Sequence, residues 1–390
     1  MRKLLVSGLA ASLALGLAVT PANAAGLGGQ QLDLPGIQVD LSGGAAPLPV
    51  LKVRTWVLAD ATTGQVLAAK RAHKPRPPAS TLKMLTALTL LPRLAMDATY
   101  TGTRKAANSD GAQVGVEKGQ TYTIEQLFYG MMLPSGNDAA IALAQANGGV
   151  RPTLEQMNAL ADQLQAVDTQ ATTPNGLDSP GQVSSAYDLA LIARAGLARP
   201  DFSRIVATKR YDFPSKGGGT HVITNLNQML TSGFRGAIGV KTGFTSKAGR
   251  TFVGAASRKG HTLIFVGMGI KESSKIAAED ALAWGFANLD KLKPVGTLVD
   301  PTAPLPASST TSLTATAVPE AMAATTADDV PAPTLTPDPA ASAAISQAAL
   351  KVPAAPVQAP SWWLALIVLA VAGVLLLGFN ASRSRRRRFR

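Results

Sequence analysis

Three short words in this 390-residue chain bring together residue types that could do covalent chemistry: Ser80-Thr81-Leu82-Lys83, Ser135-Gly136-Asn137 and Lys241-Thr242-Gly243. Residues three apart share a helical face, so a helix beginning at Ser80 would set Lys83 beside its hydroxyl. A serine hydroxyl is a weak nucleophile and needs a base within hydrogen-bond reach. A lysine can be that base only when burial or a second cation lowers its pKa. Taken alone, the pair could equally be two surface residues that happen to be three apart, because a short degenerate pattern recurs by chance. Ser135 and Asn137 flank a glycine in a turn and would project to one side, although either could simply cap the following helix. Lys241 to Gly243 reads as strand. There, alternation sends Lys241 and Gly243 to one face and Thr242 to the other, so an edge position or a local twist is needed for all to serve one cleft. Gly243 permits a close backbone approach.

The elements that must hold these words can be read around them. Arg54 to Ala59 and Gln65 to Ala68 make a hairpin with a longer loop. A basic, proline-rich loop from Lys70 to Pro78 feeds an apolar helix that carries Lys83. An apolar segment, Ile124 to Leu133, leads into Ser135, and a helical one, Ala139 to Ala146, leads away. Pro152 to Ala198 is mostly helical, broken at Pro174-Asn175-Gly176-Leu177. Two strands, Thr251 to Ala256 and Thr262 to Met268, follow Lys241, and Ala277 to Leu289 closes as a helix. The histidines His73, His221 and His261 match no metal-ligand spacing, and no metal or other cofactor is expected. Gly217 to Gly219 lacks the lysine of a phosphate-binding loop.

The ends have a different composition. Residues 1–24 have the charged start, apolar run and small-residue site (Ala22-Asn23-Ala24) of a signal peptide. Residues 25–47 read as a flexible lead-in. The catalytic segment is expected at 48–293, followed by an Ala/Pro/Thr-rich linker at 294–360 that has too few large apolar residues for a core. Residues 361–380 are long and apolar enough for one membrane span, with Trp362 and Trp363 at its start, and the arginine-rich 381–390 would stay cytoplasmic. The expectation is a single-pass cell-membrane protein with its bulk outside the cytoplasm. It has no cysteine, which excludes disulfides and thiol catalysis. A net charge of +13 favours anionic surroundings, and for an exported chain nucleic acid is not the expected partner.

Each of the three words occurs once, in this order, and the ordered set is far more specific than its members. It resembles the penicillin-binding proteins and serine β-lactamases. The flanking residues, Pro78-Ala79 before Ser80, Met132-Leu133-Pro134 before Ser135 and Phe244-Thr245 after Gly243, look like the low-molecular-mass D-alanyl-D-alanine carboxypeptidases. The resemblance implies an α+β fold of the β-lactamase/transpeptidase type, an antiparallel sheet flanked by helices with a helical subdomain between Lys83 and Ala198. It implies that Ser80 attacks the penultimate D-alanine carbonyl of a peptidoglycan stem peptide, that Lys83 takes its proton, and that β-lactams acylate the same serine. Ser135 would relay a proton to the leaving amine, and Asn137 would bind the substrate backbone. Lys241 and Thr242 would hold the terminal carboxylate beside Gly243, and the N–H groups of Ser80 and Phe244 would form the oxyanion hole.

The chain departs from the family in three ways. Phe244 stands where many relatives have histidine. Only Lys271 and Lys275 are available near the position of a carboxylate-binding arginine. From Leu289 the sequence passes almost straight into the linker, so no counterpart of the β-rich second domain of larger relatives is expected. Two other readings stand beside the carboxypeptidase. A β-lactamase would need a glutamate to activate the deacylating water, and the neighbourhood Ala171 to Asp178 has none. A non-catalytic wall-binding scaffold would keep the fold without acylation.

Overall fold

The first long strand is rich in residues that favour extended backbone, Val53, Thr55, Trp56 and Val57, and is buried along most of its length. A computed structural model describes residues 26–306, which fall within one of the two units into which the chain divides, Met1–Thr314. The first strands are β1 (Ile37–Val39), β2 (Val53–Asp60) and β3 (Gln65–Lys70). Then come α1 (Lys83–Leu90), β4 (Thr99–Thr101), α2 (Arg104–Ala107), β5 (Thr121–Thr123), α3 (Ile124–Met132), α4 (Asn137–Ala146), α5 (Val150–Gln163), α6 (Ala186–Leu197) and α7 (Pro200–Ala207). The hairpin β6 (Arg210–Pro214) and β7 (Thr220–Thr224) and the short α8 (Gln228–Thr231) lead to β8 (Ala237–Thr245), β9 (Gly249–Arg258), β10 (His261–Ile270), α9 (Ser274–Asn288) and β11 (Gly296–Thr297).

The main sheet is antiparallel in the order β1-β3-β2-β10-β9-β8, with β11 also paired to β3. Its central strands are buried on both faces. On β2, Val57 and Ala59 enter a core with α1 and α6, while Trp56 and Leu58 enter a second core with α9. Period-two alternation thus serves two apolar layers instead of one layer and solvent. The α+β architecture, with helices on both faces and a mostly helical region from α1 to α6, is the one expected. Local chemistry sets the helix starts. Thr123 and Gln126 form a reciprocal capping box on α3, and Ser185 caps α6.

Two boundaries differ from the sequence reading. The lead-in is built into the fold: Leu32 is buried, β1 pairs with β3, and the Ala46 amide and carbonyl bond Asn288 Oδ1 (2.8 Å) and Trp284 Nε1 (2.9 Å). Glycine and proline punctuate it, so it shows no apolar period, yet its backbone groups extend a sheet edge. Residues 294–306 of the segment placed in the linker are built into the fold. Val295 N donates to Val66 O, Leu298 is buried, and Arg199 Nη1 donates to Pro306 O. The expected signal peptide, the span at 361–380 and the basic tail lie outside the described residues, and no described helix is long and apolar enough to cross a membrane.

Candidate active site

Pro78 ends the loop after β3 and Ala79 turns through a left-handed conformation (φ 51°). A single 3-10 turn, Ala79–Leu82, then hands the chain to α1. Ser80 therefore sits on the turn and Lys83 on the first helical residue, three positions on and on the same side. Lys83 Nζ lies 3.0 Å from Ser80 Oγ. It also donates to Asn137 Oδ1 and to the Asn175 carbonyl, both at 2.6 Å. The Asn137 amide is oriented by its Nδ2 group, which donates to Asp110 O at 2.6 Å. Asn137 Oδ1 and Asn175 O can only accept. A neutral amine has two N–H bonds and one lone pair, so filling both acceptors leaves the lone pair directed at Ser80 Oγ.

Electrostatics favours that neutral form. Lys83 is fully buried. Desolvation, then repulsion from Lys241, pushes its pKa well below the usual lysine value against the opposing pull of Asp138. Lys241 is itself buried and lowered by desolvation to about 7, with Nζ donating to Thr242 O at 3.1 Å.

The second word reaches the site through α4. The helix cap is Gly136, with no side-chain hydrogen bond, so neither Ser135 nor Asn137 serves as a cap. Ser135 is left-handed (φ 69°) and 5% exposed, and its Oγ has no hydrogen-bond partner. Strain and an unsatisfied hydroxyl at one residue are costs that persist where surrounding structure enforces them, as at functional sites. Asp138, three residues on, holds the loop alongside. It accepts the amides of Val114, Gly115, Val116 and Ala139 at 2.8–3.0 Å and so fixes the loop facing Ser80.

The third word lies on β8, the edge strand, which meets the geometric need set by alternation. A Cβ on Gly243 would come within 2.8 Å of Ser80 N and 2.4 Å of Thr251 Oγ1. Only glycine lets β8 lie this close to the nucleophile's backbone. Ser80, Ser135, Thr242, Gly243 and Phe244 line one open cleft of 630 Å³. Lys83, Asn137 and Lys241 are buried behind that surface.

Several contributing residues were missed in the sequence. Asn175 holds Lys83 through its main chain. The Pro-Asn-Gly turn that delivers it is visible in the sequence, but a carbonyl's target is not. A Cβ on Gly176 would meet Ala79 O at 2.1 Å, so this turn packs against the nucleophile's own. Arg250, paired across to Phe244, also lines the cleft. Of the two lysines considered near the family's arginine position, Lys275 lines the cleft but bonds Glu279 at 2.9 Å, and Lys271 lines a different cavity. Asp178 ends the stretch without glutamate, and its carboxylate is engaged by Thr245 Oγ1 (2.8 Å) and Lys247 N. Outside the cleft, His73, Asp168 and Asp188 bring ligand-type atoms within 4.8 Å of one another, with His73 Nδ1 3.0 Å from Asp168.

The family model described as D-alanyl-D-alanine carboxypeptidase matches residues 44–272. The chain is 42% identical over 262 residues to the D-alanyl-D-alanine carboxypeptidase DacB2 of Mycobacterium tuberculosis, covering 65% of this chain and 89% of that one. A crystal structure of a D-alanyl-D-alanine carboxypeptidase from the same organism superposes with a TM-score of 0.63 at 41% identity, covering 65% of this chain and 98% of the other. The Streptomyces K15 DD-transpeptidase gives 0.59 at 30% identity, covering 62% and 100%. With the family match spanning all three words and running through β10, the chain belongs to the S11 peptidases, the D-alanyl-D-alanine carboxypeptidase family.

Proposed function

We propose that the enzyme removes the terminal D-alanine of peptidoglycan stem pentapeptides through an acyl-enzyme on Ser80, and that β-lactams acylate the same oxygen. The observation that carries this reading is the Lys83 amine. Its two acceptor-only partners and its burial leave a lone pair facing Ser80 Oγ. In acylation Ser80 Oγ bonds to the carbonyl carbon of the penultimate D-alanine while Lys83 takes the hydroxyl proton. The N–H groups of Ser80 and Phe244 receive the oxyanion, and because that contact uses backbone, Phe244 in place of histidine leaves it intact. The buried, unpartnered Ser135 Oγ relays the proton that Lys83 took from Ser80 to the departing D-alanine amine, which returns Lys83 to its neutral form. Water then attacks the acyl carbon, Lys83 accepts its proton, and that proton passes to Ser80 Oγ as the acyl bond breaks.

Thr242 and Arg250 hold the terminal carboxylate, Arg250 supplying the guanidinium fork from β9 that the family takes from a later position. Lys241 acts from behind Thr242 through its charge. Asn137 holds Lys83 and the loop opposite, and its backbone-binding role toward substrate is kept as part of this proposal. The β-lactamase reading is disfavoured because the turn after Asn175 presents Asp178 and no glutamate, that carboxylate is engaged by Thr245, and Glu272, which also lines the cleft, accepts the Lys52 amide. From the sequence we also infer export by residues 1–24, a tether beyond residue 306, anchoring by 361–380 and a cytoplasmic C-terminus.

The test is D-alanine release from a stem pentapeptide by the full-length protein and by Ser80→Ala. Release by the wild type alone establishes activity and nucleophile together. No release with penicillin labelling retained would point to another acyl donor, and absence of both would move the reading to a wall-binding scaffold.

A further inference from the structure

On the far side of the turn that follows β10 lies a second cavity, of 410 Å³, whose composition is unusual: seven of its ten lining residues are lysine or arginine and none is acidic. Lys271 belongs to it, whereas the next four residues, Glu272 to Lys275, line the catalytic cleft. Arg76, four residues before the nucleophile, belongs to it as well.

Among the described residues none of these seven cations has an ion-pair partner. Lys70 Nζ donates only to the Val53 carbonyl (3.1 Å). The nearby Glu272 carboxylate accepts the Lys52 backbone N–H. Thr55 is 2% exposed, its Oγ1 has no hydrogen-bond partner, and neither does the buried Nε of Arg76. Both residues line the cavity.

The cations are held together by the fold. Gly269 is left-handed (φ 65°) at the irregularity where β10 shifts register. A Cβ there would meet Arg54 Cδ at 2.7 Å and Arg76 Nη2 at 3.0 Å, so two arginines lie over a backbone position that only glycine leaves open. Burial and the Arg54 charge both push the Arg76 guanidinium below its usual pKa. Clustered like charge without counter-charge opposes folding, and a bound anion relieves it.

We propose that this cavity is a binding site for phosphate-bearing anions, a diphosphate or phosphodiester group carried by a wall polymer, a precursor or a membrane lipid. A single carboxylate would leave most of the cluster uncompensated. Tetrahedral phosphate oxygens fit paired guanidinium groups, and a multivalent anion meets the number of cations present. The site would hold an anionic part of a wall or membrane component one turn away from the cleft that takes the stem peptide.

The test is calorimetric titration of the full-length protein with inorganic pyrophosphate, poly(glycerol phosphate) oligomer, dihexanoyl phosphatidylglycerol and, as control, dihexanoyl phosphatidylcholine. Wild type is compared with Arg54→Glu/Lys74→Glu and with the milder Arg54→Gln/Lys74→Gln. Circular dichroism and hydrolysis of an uncharged-tail D-Ala-D-Ala tripeptide verify folding and the untouched cleft. The site predicts saturable binding that weakens with salt, at least tenfold loss in the glutamate variant, several-fold loss in the glutamine variant, and unchanged tripeptide hydrolysis. Tightest binding of pyrophosphate or the polymer identifies a soluble phosphate source, and tightest binding of phosphatidylglycerol identifies a headgroup. No phosphate probe binding at low salt, or equal binding by wild type and both variants, overturns the proposal.

Discussion

Replacing Lys241 with methionine should make the protein more stable and less active, with a pH signature that separates the two effects. The Lys241 amine is 1% exposed, and burial holds its pKa at about 7 where a free lysine titrates at 10.5. The folded state therefore binds fewer protons than the unfolded chain between those values, and stability rises with pH across that window. At about 1.4 kcal/mol per pH unit, keeping the group charged costs the fold about 5 kcal/mol below pH 7, about 4 at pH 7, and nothing above about pH 10.5. Methionine has similar length and removes that cost, while the lost hydrogen bond to Thr242 O returns about 1 kcal/mol. The expected gain is about 3 kcal/mol at pH 7, shrinking to nothing or to a small loss near pH 10. Urea unfolding of wild type and variant, followed by far-UV circular dichroism from pH 6 to pH 10, measures it. A gain that does not change with pH, or a variant less stable than wild type at pH 7, would refute the desolvation argument. In the same variant Lys83 loses its cationic neighbour, so its pKa rises and the acid limb of penicillin acylation moves to higher pH. Burial is the first cause of the Lys83 shift, so the limb moves only part of the way toward an ordinary lysine.

Four further outcomes follow from the same geometry. Lys83→Ala should nearly abolish penicillin labelling of Ser80 while circular dichroism stays unchanged, and labelling at the wild-type rate would remove lysine from the base role. Ser135→Ala should lower kcat by about 10²-fold, the lower range for a proton-transfer group. Because its Oγ has no partner to lose, melting temperature should hold or rise. Arg250→Ala should raise KM for a substrate with a free terminal carboxylate more than it lowers kcat, with Arg250→Lys between the two, and an unchanged KM would exclude the guanidinium from carboxylate binding. Asp138→Ala strands four backbone amides and should cost about 3 kcal/mol or more, read as a lower urea midpoint with the denaturant slope unchanged.

Much of this site was legible because covalent chemistry needs particular side chains at particular separations. Ser80 and Lys83 had to share a helical turn, and Lys241 to Gly243 needed an edge strand. The structure supplies a 3-10 turn and β8. What the sequence hid was carried by backbone. Asn175 acts through a carbonyl, so its side-chain identity gives no sign of the contact. The lead-in from 26 to 47 contributes main-chain hydrogen bonds to a sheet edge, and such pairing leaves no apolar period to detect. Arg250 was hidden by register, since only the pairing Phe244↔Arg250 brings β9's arginine to the cleft mouth.

These hidden contributions also explain how the chain tolerates so costly a centre. Two buried lysines, a left-handed Ser135 and a left-handed Ala79 each oppose folding, and none can relax while its neighbours stay in place. The Gly176 turn presses on Ala79 O, Gly243 presses on Ser80 N, and Asp138 clamps the loop opposite. The neighbours of these clamps pack into the cores on the two faces of the sheet, Leu82 and Val114 on one side and Phe252 on the other. A mutation that loosened a clamp while sparing every catalytic side chain, such as Gly176→Ala, should therefore let Lys83 regain water and protonate. Its expected mark is an acid limb of acylation shifted to higher pH, with all three reactive words intact. An unshifted limb in a folded variant would mean that burial of Lys83 does not depend on that turn.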